Sequence, residues 1–143
     1  MTRITVQGVG VVGGFGVGVD AFRRALLAGE SPRSTLSVPT GKGPIELAAF
    51  RADTSSLKDF VPVRALRRMD HFSRMGLLAA HLALKDAGLQ PAEGMPSSQE
   101  NLGVIIASGY GATTTTYALL DSIINDGDAC TSPTHFANSL HNA

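Results

Sequence analysis

The chain has 143 residues, and its twelve basic and twelve acidic side chains give a formal net charge of zero at pH 7. Its length suits a single domain, and the balanced charge excludes the electrostatic footprint of a nucleic-acid-binding or membrane-surface protein, so we expect neither partner. A single cysteine excludes an internal disulfide framework and favours a cytoplasmic location. The sequence shows no signal-peptide pattern, no apolar run of membrane-spanning length and no Cys or His residues at metal-ligand spacing, so we expect no metal site.

A glycine-rich segment follows a β-branched stretch at residues 4–8, which predicts a strand running into a loop. The spacing Gly8-x-Gly10-x-x-Gly13 matches a dinucleotide-binding loop. In such a site a helix begins within the motif, so that its N-terminus faces the pyrophosphate. Further glycines continue to Gly18, and each costs about 1 kcal/mol in a helix interior. A nucleotide-binding module is therefore only an alternative interpretation.

The first helix is predicted to begin no earlier than Val19 or Asp20, with Asp20 as its N-cap. Gly29 is a natural residue to follow its last turn, because glycine adopts the left-handed conformation that ends many helices. Residues 31–44 are rich in Ser, Pro, Thr and Gly and predict a loop, and residues 45–50 predict a short strand.

The strongest helical pattern lies at residues 72–83, where apolar side chains recur at helical spacing, and Lys85 is expected in the last turn of this helix. Asp70 or Asp59 is expected to cap its start, and Gly88 follows its end. Residues 102–108 form a continuous apolar run, which is typical of a central parallel strand covered on both faces. A further helix is predicted up to residues 125–127, and Ser132 and Pro133 predict the N-cap and first residue of another.

The order of these elements predicts an α/β fold with a parallel sheet. Sheets usually contain four to six strands, whereas this sequence offers only two convincing ones. A strand that is apolar on both faces also needs pairing partners on both edges. We therefore expect an incomplete domain, or one that another chain completes.

Four segments in this order resemble the β-ketoacyl-acyl carrier protein synthases, condensing enzymes of the thiolase fold. They are residues 4–31, 67–89, 102–111 and 132–143. The last is most similar to a ketosynthase-like branch of polyketide or aryl-polyene pathways. The resemblance covers nearly the whole chain, and residues 34–60 are its least similar part.

The resemblance implies a partial thiolase-like fold, with residues 1–143 as the N-terminal portion, ending before the third strand and its nucleophile turn. The family's reaction is the decarboxylative condensation of acyl and malonyl thioesters in fatty acid or polyketide biosynthesis. Its catalytic Cys and paired His, or His and Asn, have no counterpart in this sequence, so no catalytic residue is assigned and the enzyme status stays open.

The resemblance also implies an acyl carrier protein as partner, and a homo- or heterodimer with a ketosynthase chain. No metal or organic cofactor is expected beyond the phosphopantetheine of the carrier. A non-catalytic partner similar to a chain-length factor is the alternative function.

Three positions match the family's acyl pocket and its surroundings: Tyr110, Phe136 and Asn138. Tyr110 lies between Gly109 and Gly111, where a bulky side chain would limit the length of the acyl chain. The alternative for Tyr110 is a plain core aromatic residue.

Other side chains carry a functional and a structural interpretation. Cys130 lies beside acidic residues, which raise a thiol pKa, so we expect an unreactive loop cysteine. His135 and His141 suggest a catalytic role, but they are six residues apart and so lie on different helix faces, which favours solvent, interface or cap positions. The cluster Arg64, Arg67 and Arg68 suits an acidic carrier protein or a solvated helix start. Residues 113–116, all threonine, suit a polar binding patch or a helix cap.

Overall fold

The computed structural model describes residues 3–30, 33–89, 103–128 and 131–139. This part of the chain is a mixed helix and strand structure. Its strands are β1 (Val12–Gly13), β2 (Gly16–Val17), β3 (Ser34–Val38) and β4 (Ile45–Ala49). Its helices are α1 (Val19–Ala28), α2 (Val63–Leu66), α3 (His71–Asp86), α4 (Thr113–Asp126) and α5 (Pro133–Ser139), and a 3-10 turn spans Ser55–Asp59.

The glycine-rich segment forms a tight antiparallel hairpin of β1 and β2 that leads directly into α1. The helix begins at Val19, as predicted, but its N-cap is Gly18, with φ of 89°, rather than Asp20. Asp20 instead lies in the first turn, where a carboxylate interacts favourably with the positive end of the helix dipole. The predicted helix end at Gly29 is confirmed, with φ of 65°.

Strands β3 and β4 pair antiparallel, with Leu36 opposite Leu47. The strand predicted at residues 45–50 is therefore confirmed, whereas the loop predicted for residues 31–44 is wrong over β3. Most side chains of this hairpin are exposed on both faces. Cross-strand pairing with β4 therefore holds β3 in place. Because β3 has no buried face, its sequence shows little of the alternation of apolar and polar residues that would predict a strand.

Helix α3 begins where Asp70 caps it, as predicted: the backbone N–H of Ser73 donates to Asp70 Oδ1 at 2.6 Å. The alternative cap, Asp59, instead ends the 3-10 turn. Asp53 lies two residues before this turn, and the hydrogen bonds that the backbone N–H and hydroxyl of Ser55 donate to its carboxylate lower the pKa of Asp53.

We expect Asp70→Ala to lower the free energy of unfolding by about 1 kcal/mol, because the substitution removes the side-chain acceptor from the first turn of α3. Urea denaturation followed by circular dichroism measures the change. Asp59→Ala is the matched control and should change stability by less than about 0.5 kcal/mol. Equal losses in the two variants would contradict the capping role of Asp70.

The best-buried packing lies between the 3-10 turn and α3. Leu57 and Leu78 are fully buried, and the ring of Phe60 stacks on the imidazole of His81 at a centroid distance of 3.9 Å. These contacts join residues about twenty positions apart and hold the 3-10 turn against the middle of α3.

The segment before β1 packs on the other side of α3. A Cβ atom added to Gly8 or Gly10 would overlap the α3 backbone at Ala83 or Ala79. The backbone N–H of Val9 donates to Asp86 Oδ2 at 2.9 Å. No strand forms over residues 4–8, contrary to the prediction, and this segment is held by its contact with the helix instead.

Residues 103–108 are not part of a strand, contrary to the prediction for residues 102–108, and Ile105 is 98% exposed. The strand pairs within the described ranges are all antiparallel, so the predicted parallel sheet is absent from that part of the chain. A continuous apolar pattern indicates that a segment needs burial on both faces, but it does not supply the strands that pair with it.

Helices α4 and α5 pack against each other. Helix α4 ends before Gly127 and α5 begins at Pro133, both as predicted, and the N–H of Phe136 donates to the carbonyl of Ser132 at 3.1 Å. Leu119 and Ser139 are buried between the two helices. The expected continuation of α5 to residue 143 lies outside the described residues. Among the helices described, none is long and apolar enough to cross a membrane.

Candidate functional site

A polar cleft of about 410 Å³ lies where the α2–α3 junction meets the first turns of α4 and α5. Three separate stretches of sequence line it, and they contribute mainly basic, hydroxyl and amide side chains. Its lining residues are Arg67, Arg68, Met69, Asp70, His71, Thr114, Thr115, Ala118, Thr134, His135 and Asn138.

The turn before α4 positions the threonines of the cleft. Gly111 has φ of 60°, a conformation that favours glycine, and its N–H donates to Ser108 Oγ at 2.7 Å. The hydroxyl of Thr113 donates to the carbonyl of Tyr110 at 2.9 Å. These bonds start the helix so that Thr114 and Thr115, in its first turn, face the cleft.

A hydrogen bond between the two C-terminal helices fixes the opposite wall. The hydroxyl of Thr116 donates to the carbonyl of Ser139 at 3.1 Å, and Ser139 is buried. This contact aligns α5 with the start of α4. His135 and the half-buried Asn138 are thereby brought to the same cleft as the threonines.

The third wall is the short connection between α2 and α3. The guanidinium of Arg74 donates through Nη2 to the carbonyl of Leu66 at 2.6 Å, which fixes the last turn of α2. Arg67 and Arg68 follow immediately and are exposed. The one acidic side chain of the lining, Asp70, already accepts the hydrogen bond that caps α3. The cleft therefore carries a net positive charge.

Several candidate residues from different parts of the sequence meet in this cleft. Arg67 and Arg68, two of the four threonines, His135 and Asn138 all line the cleft. His71, Thr134 and Met69 were missed as site residues. The positions of His71 and Thr134 could have indicated them, because both lie in the first turns of helices whose starts the sequence predicts.

The other two residues of the expected acyl pocket do not line this cleft. Tyr110 is 85% exposed and Phe136 is 57% exposed. Within the described residues Tyr110 is therefore not part of a core, and its side chain projects from the turn before α4. Cys130 and His141 lie outside the described residues.

A second cavity, of about 620 Å³, lies between α1 and the ends of both hairpins. The rings of Phe15, Phe22 and Phe50 line it, with Glu30 and Arg33 among the polar lining residues. Phe15 and Phe22 contact each other with ring centroids 5.0 Å apart. The lining of this cavity is mostly apolar, and few polar groups converge on it.

The geometry of Gly8 and Gly10 argues against a nucleotide site. Both glycines pack against the backbone of α3, and the third glycine of the motif, Gly13, belongs to β1. The next helix begins only at Val19, so its N-terminus is not part of the motif. Close packing against α3 accounts for the spacing of the first two glycines. Across the described ranges, no group of three or more His, Cys, Asp or Glu side chains could hold a metal ion.

The family profile described as "Beta-ketoacyl synthase, N-terminal domain" matches residues 1–140. The chain is 31% identical over 118 residues to the tetracenomycin polyketide synthase ketoacyl synthase alpha subunit of Streptomyces glaucescens, covering 78% of this chain and 26% of that protein.

Two further relatives are similar over comparable lengths. The tetracenomycin polyketide synthase ketoacyl synthase beta subunit of the same organism is 33% identical over 113 residues, covering 76% of this chain and 26% of its own length. The chloroplastic 3-oxoacyl-[acyl-carrier-protein] synthase I of Arabidopsis thaliana is 27% identical over 132 residues, which cover 92% of this chain and 28% of that protein. The chain thus spans about a quarter of the length of these curated relatives.

Proposed function

The chain belongs to the β-ketoacyl synthase family, and we propose that it forms the N-terminal part of a ketosynthase-like protein of fatty acid or polyketide biosynthesis. The reaction of that protein is the condensation of an acyl thioester with a malonyl thioester, with loss of CO₂. In this proposal the chain is not catalytic by itself and supplies scaffold and binding surface. The observation that carries the proposal is the family match over residues 1–140.

The exposed apolar segments support a role as part of a larger assembly. Ile4, Val6 and residues 104–106 expose most of their side-chain surface in an extended or irregular backbone. Burying one such side chain is worth about 1.5–3 kcal/mol. Additional polypeptide that covered these segments would therefore stabilise the chain substantially, as expected for the N-terminal part of a larger fold.

The reactive step is proposed to require groups that this chain does not contain. We expect that incubation with an acyl or malonyl thioester leaves the chain without a covalent acyl group, including at Cys130, because Asp126 and Asp128 precede it closely in the sequence and adjacent carboxylates disfavour a thiolate. Intact mass spectrometry measures this directly. Cys130→Ser is the control for any adduct, and a stoichiometric adduct that disappears in this variant would refute the proposal.

The basic surface at the start of α2 and α3 suits an acidic carrier protein. Arg64 and Arg68 are exposed and lie together at a shallow surface depression with Pro62 and Ala65. Exposed cations of this kind accelerate association with an acidic partner more than they tighten the final complex. We propose that the phosphopantetheine-bearing carrier protein docks on this surface.

Arg64→Glu is expected to weaken binding of the acidic carrier protein by about tenfold at low salt, mostly through slower association. Arg64 lies outside the polar cleft, so the variant tests docking alone. Arg23→Glu, an equal charge change on exposed α1, is the matched control. Surface plasmon resonance at several salt concentrations measures the association rate and affinity of both variants. Equal effects of the two substitutions would indicate a nonspecific charge effect and contradict docking at Arg64.

A non-catalytic partner subunit is the second candidate, because the identity to the ketoacyl synthase beta subunit, 33%, is similar to that for the alpha subunit, 31%. Co-expression with an alpha-type ketosynthase chain tests it, and a stable heterodimer with that chain supports the partner function. We also propose that Tyr110, Phe136 and Asn138 border the acyl pocket in the complete protein. The exposure of both aromatic rings leaves them accessible to an acyl chain or a covering segment.

A further inference from the structure

We propose that the cavity of about 620 Å³ between α1 and the two hairpins binds a small betaine, a compound that carries a trimethylammonium group and a carboxylate. The lining combines three aromatic rings with one acidic and one basic side chain: Phe15, Phe22, Phe50, Glu30 and Arg33. The cavity shares no lining residue with the polar cleft or with the surface at Arg64. Binding at this cavity therefore does not rest on the proposed function.

The aromatic rings of the cavity are the first reason. Phe15 and Phe22 contact each other with their ring planes inclined at 59°, so they form two walls that meet at an angle. Phe50 lines the same cavity. The face of each ring carries partial negative charge and attracts a cation within about 6 Å of the ring centroid. Aromatic rings gathered around one cavity are a recurring means of binding quaternary ammonium groups.

The glycine-rich hairpin of β1 and β2 positions two of these rings. A Cβ atom added to Gly13 would overlap the ring of Phe15, and one added to Gly14 would overlap Phe50 at its backbone and its own Cβ. Glycine at both positions therefore lets Phe15 fold over the hairpin and lets Phe50 approach it. This packing accounts for two glycines that the contact of Gly8 and Gly10 with α3 leaves unexplained.

Negative charge at one end of the cavity is the second reason. Helix α1 ends there, with Ala25, Leu26 and its C-cap Gly29 in the lining. The C-terminus of a helix is the negative end of its dipole and favours a cation. Glu30 follows directly and adds a full negative charge. The rings, the helix end and the carboxylate therefore all favour a positively charged group in the cavity.

Arg33 accounts for the second charge of the ligand. Its exposed guanidinium group repels a simple cation, but the planar fork of N–H donors matches a carboxylate. A compound with an ammonium group at one end and a carboxylate at the other therefore complements both Glu30 and Arg33. The cavity volume of about 620 Å³ lies within the range of small-molecule sites and exceeds what one ammonium group fills.

Titration of the full chain with 4-(trimethylammonio)butanoate, followed by the proton shifts of the phenylalanine rings, tests the proposal. We expect saturable binding that shifts the ring signals of Phe15, Phe22 and Phe50. The carbon isostere 5,5-dimethylhexanoate keeps the shape and the carboxylate but lacks the positive charge, so it should bind about tenfold more weakly. Tetramethylammonium lacks the carboxylate and should bind severalfold more weakly than the betaine.

Three variants assign the binding to the cavity. Phe22→Leu keeps an apolar side chain but removes an aromatic face, so it should weaken betaine binding by about tenfold and leave binding of the carbon isostere within about twofold. Glu30→Gln should weaken binding of both ammonium compounds severalfold, and Arg33→Gln should weaken binding of the betaine alone. Phe72→Leu is the matched control: Phe72 lies on α3, outside the cavity, and is exposed to a similar degree as Phe22. It should change betaine binding less than twofold.

Absence of saturable betaine binding would overturn the proposal. Equal affinity for the betaine and its carbon isostere would also overturn it, because the cavity would then select for apolar shape and not for positive charge. Unchanged betaine binding in both Phe22→Leu and Glu30→Gln would place the compound elsewhere on the chain. Tetramethylammonium that binds as tightly as the betaine, together with no effect of Arg33→Gln, would reject the zwitterionic ligand.

Discussion

Gly10→Ala is expected to lower the free energy of unfolding by about 3 kcal/mol. A Cβ atom at this position would overlap the backbone at Ala79 and come within 2.7 Å of the backbone nitrogen of Ala83, so the segment before β1 would have to move away from α3. Backbone atoms of a helix yield less than the end of a flexible side chain, and overpacking of this kind typically costs 1–3 kcal/mol. Urea denaturation measures the loss.

Gly76→Ala is the matched control for this prediction. Gly76 lies within α3 on its exposed side, and an added Cβ would meet no atom within 4 Å. The same substitution should therefore raise the free energy of unfolding by about 1 kcal/mol, because alanine is the better helix former. Opposite signs for the two variants would confirm the packing role of Gly10. A neutral Gly10→Ala variant that had instead lost affinity for NAD would restore the nucleotide interpretation of the motif.

Ile106→Lys is expected to reduce self-association of the chain by about tenfold or more. The side chain is 76% exposed within an extended apolar segment, residues 103–108, that lacks strand partners in the described part of the chain. Unpaired, apolar extended backbone promotes association, and a charged side chain opposes it. Size-exclusion chromatography with light scattering measures the monomer fraction across a concentration series.

Leu27→Lys controls for the removal of exposed apolar surface in general. Leu27 is 78% exposed, similar to Ile106, but it lies on α1, where the backbone is hydrogen-bonded within the helix. This variant should leave the association largely unchanged. A wild-type chain that runs as a sharp monomer and unfolds cooperatively would contradict the prediction, because it would show that residues 103–108 do not promote association.

Helix boundaries were the part of the fold that sequence reasoning predicted best. The end of α1 at Gly29, the start of α3 at Asp70 and the end of α4 at Gly127 depend on one or two residues and their own backbone. Such signals are interactions between neighbouring residues, so they do not depend on how the rest of the chain packs. The wrong N-cap prediction for α1 is also a local error of two residues. Gly18, rather than Asp20, occupies the cap position, with a backbone conformation that favours glycine.

Strands were predicted less well, because a strand is defined by its partner. The apolar pattern of residues 102–108 indicates a need for burial and says nothing of where pairing strands come from. Conversely, β3 forms by pairing with β4 although both of its faces are largely exposed. Pairing partners are long-range information, and amphipathic periodicity does not contain it.

The amino-acid sequence alone determined the helix limits, the family resemblance and the set of chemical groups available to a site. Tertiary packing brings Arg67, Thr115 and Asn138, which lie far apart along the chain, to one cleft. It also sets Gly8 and Gly10 against the backbone of α3. The physical reason is that caps and turns are local interactions of neighbouring residues, whereas a cleft and a helix contact exist only after distant segments have packed together.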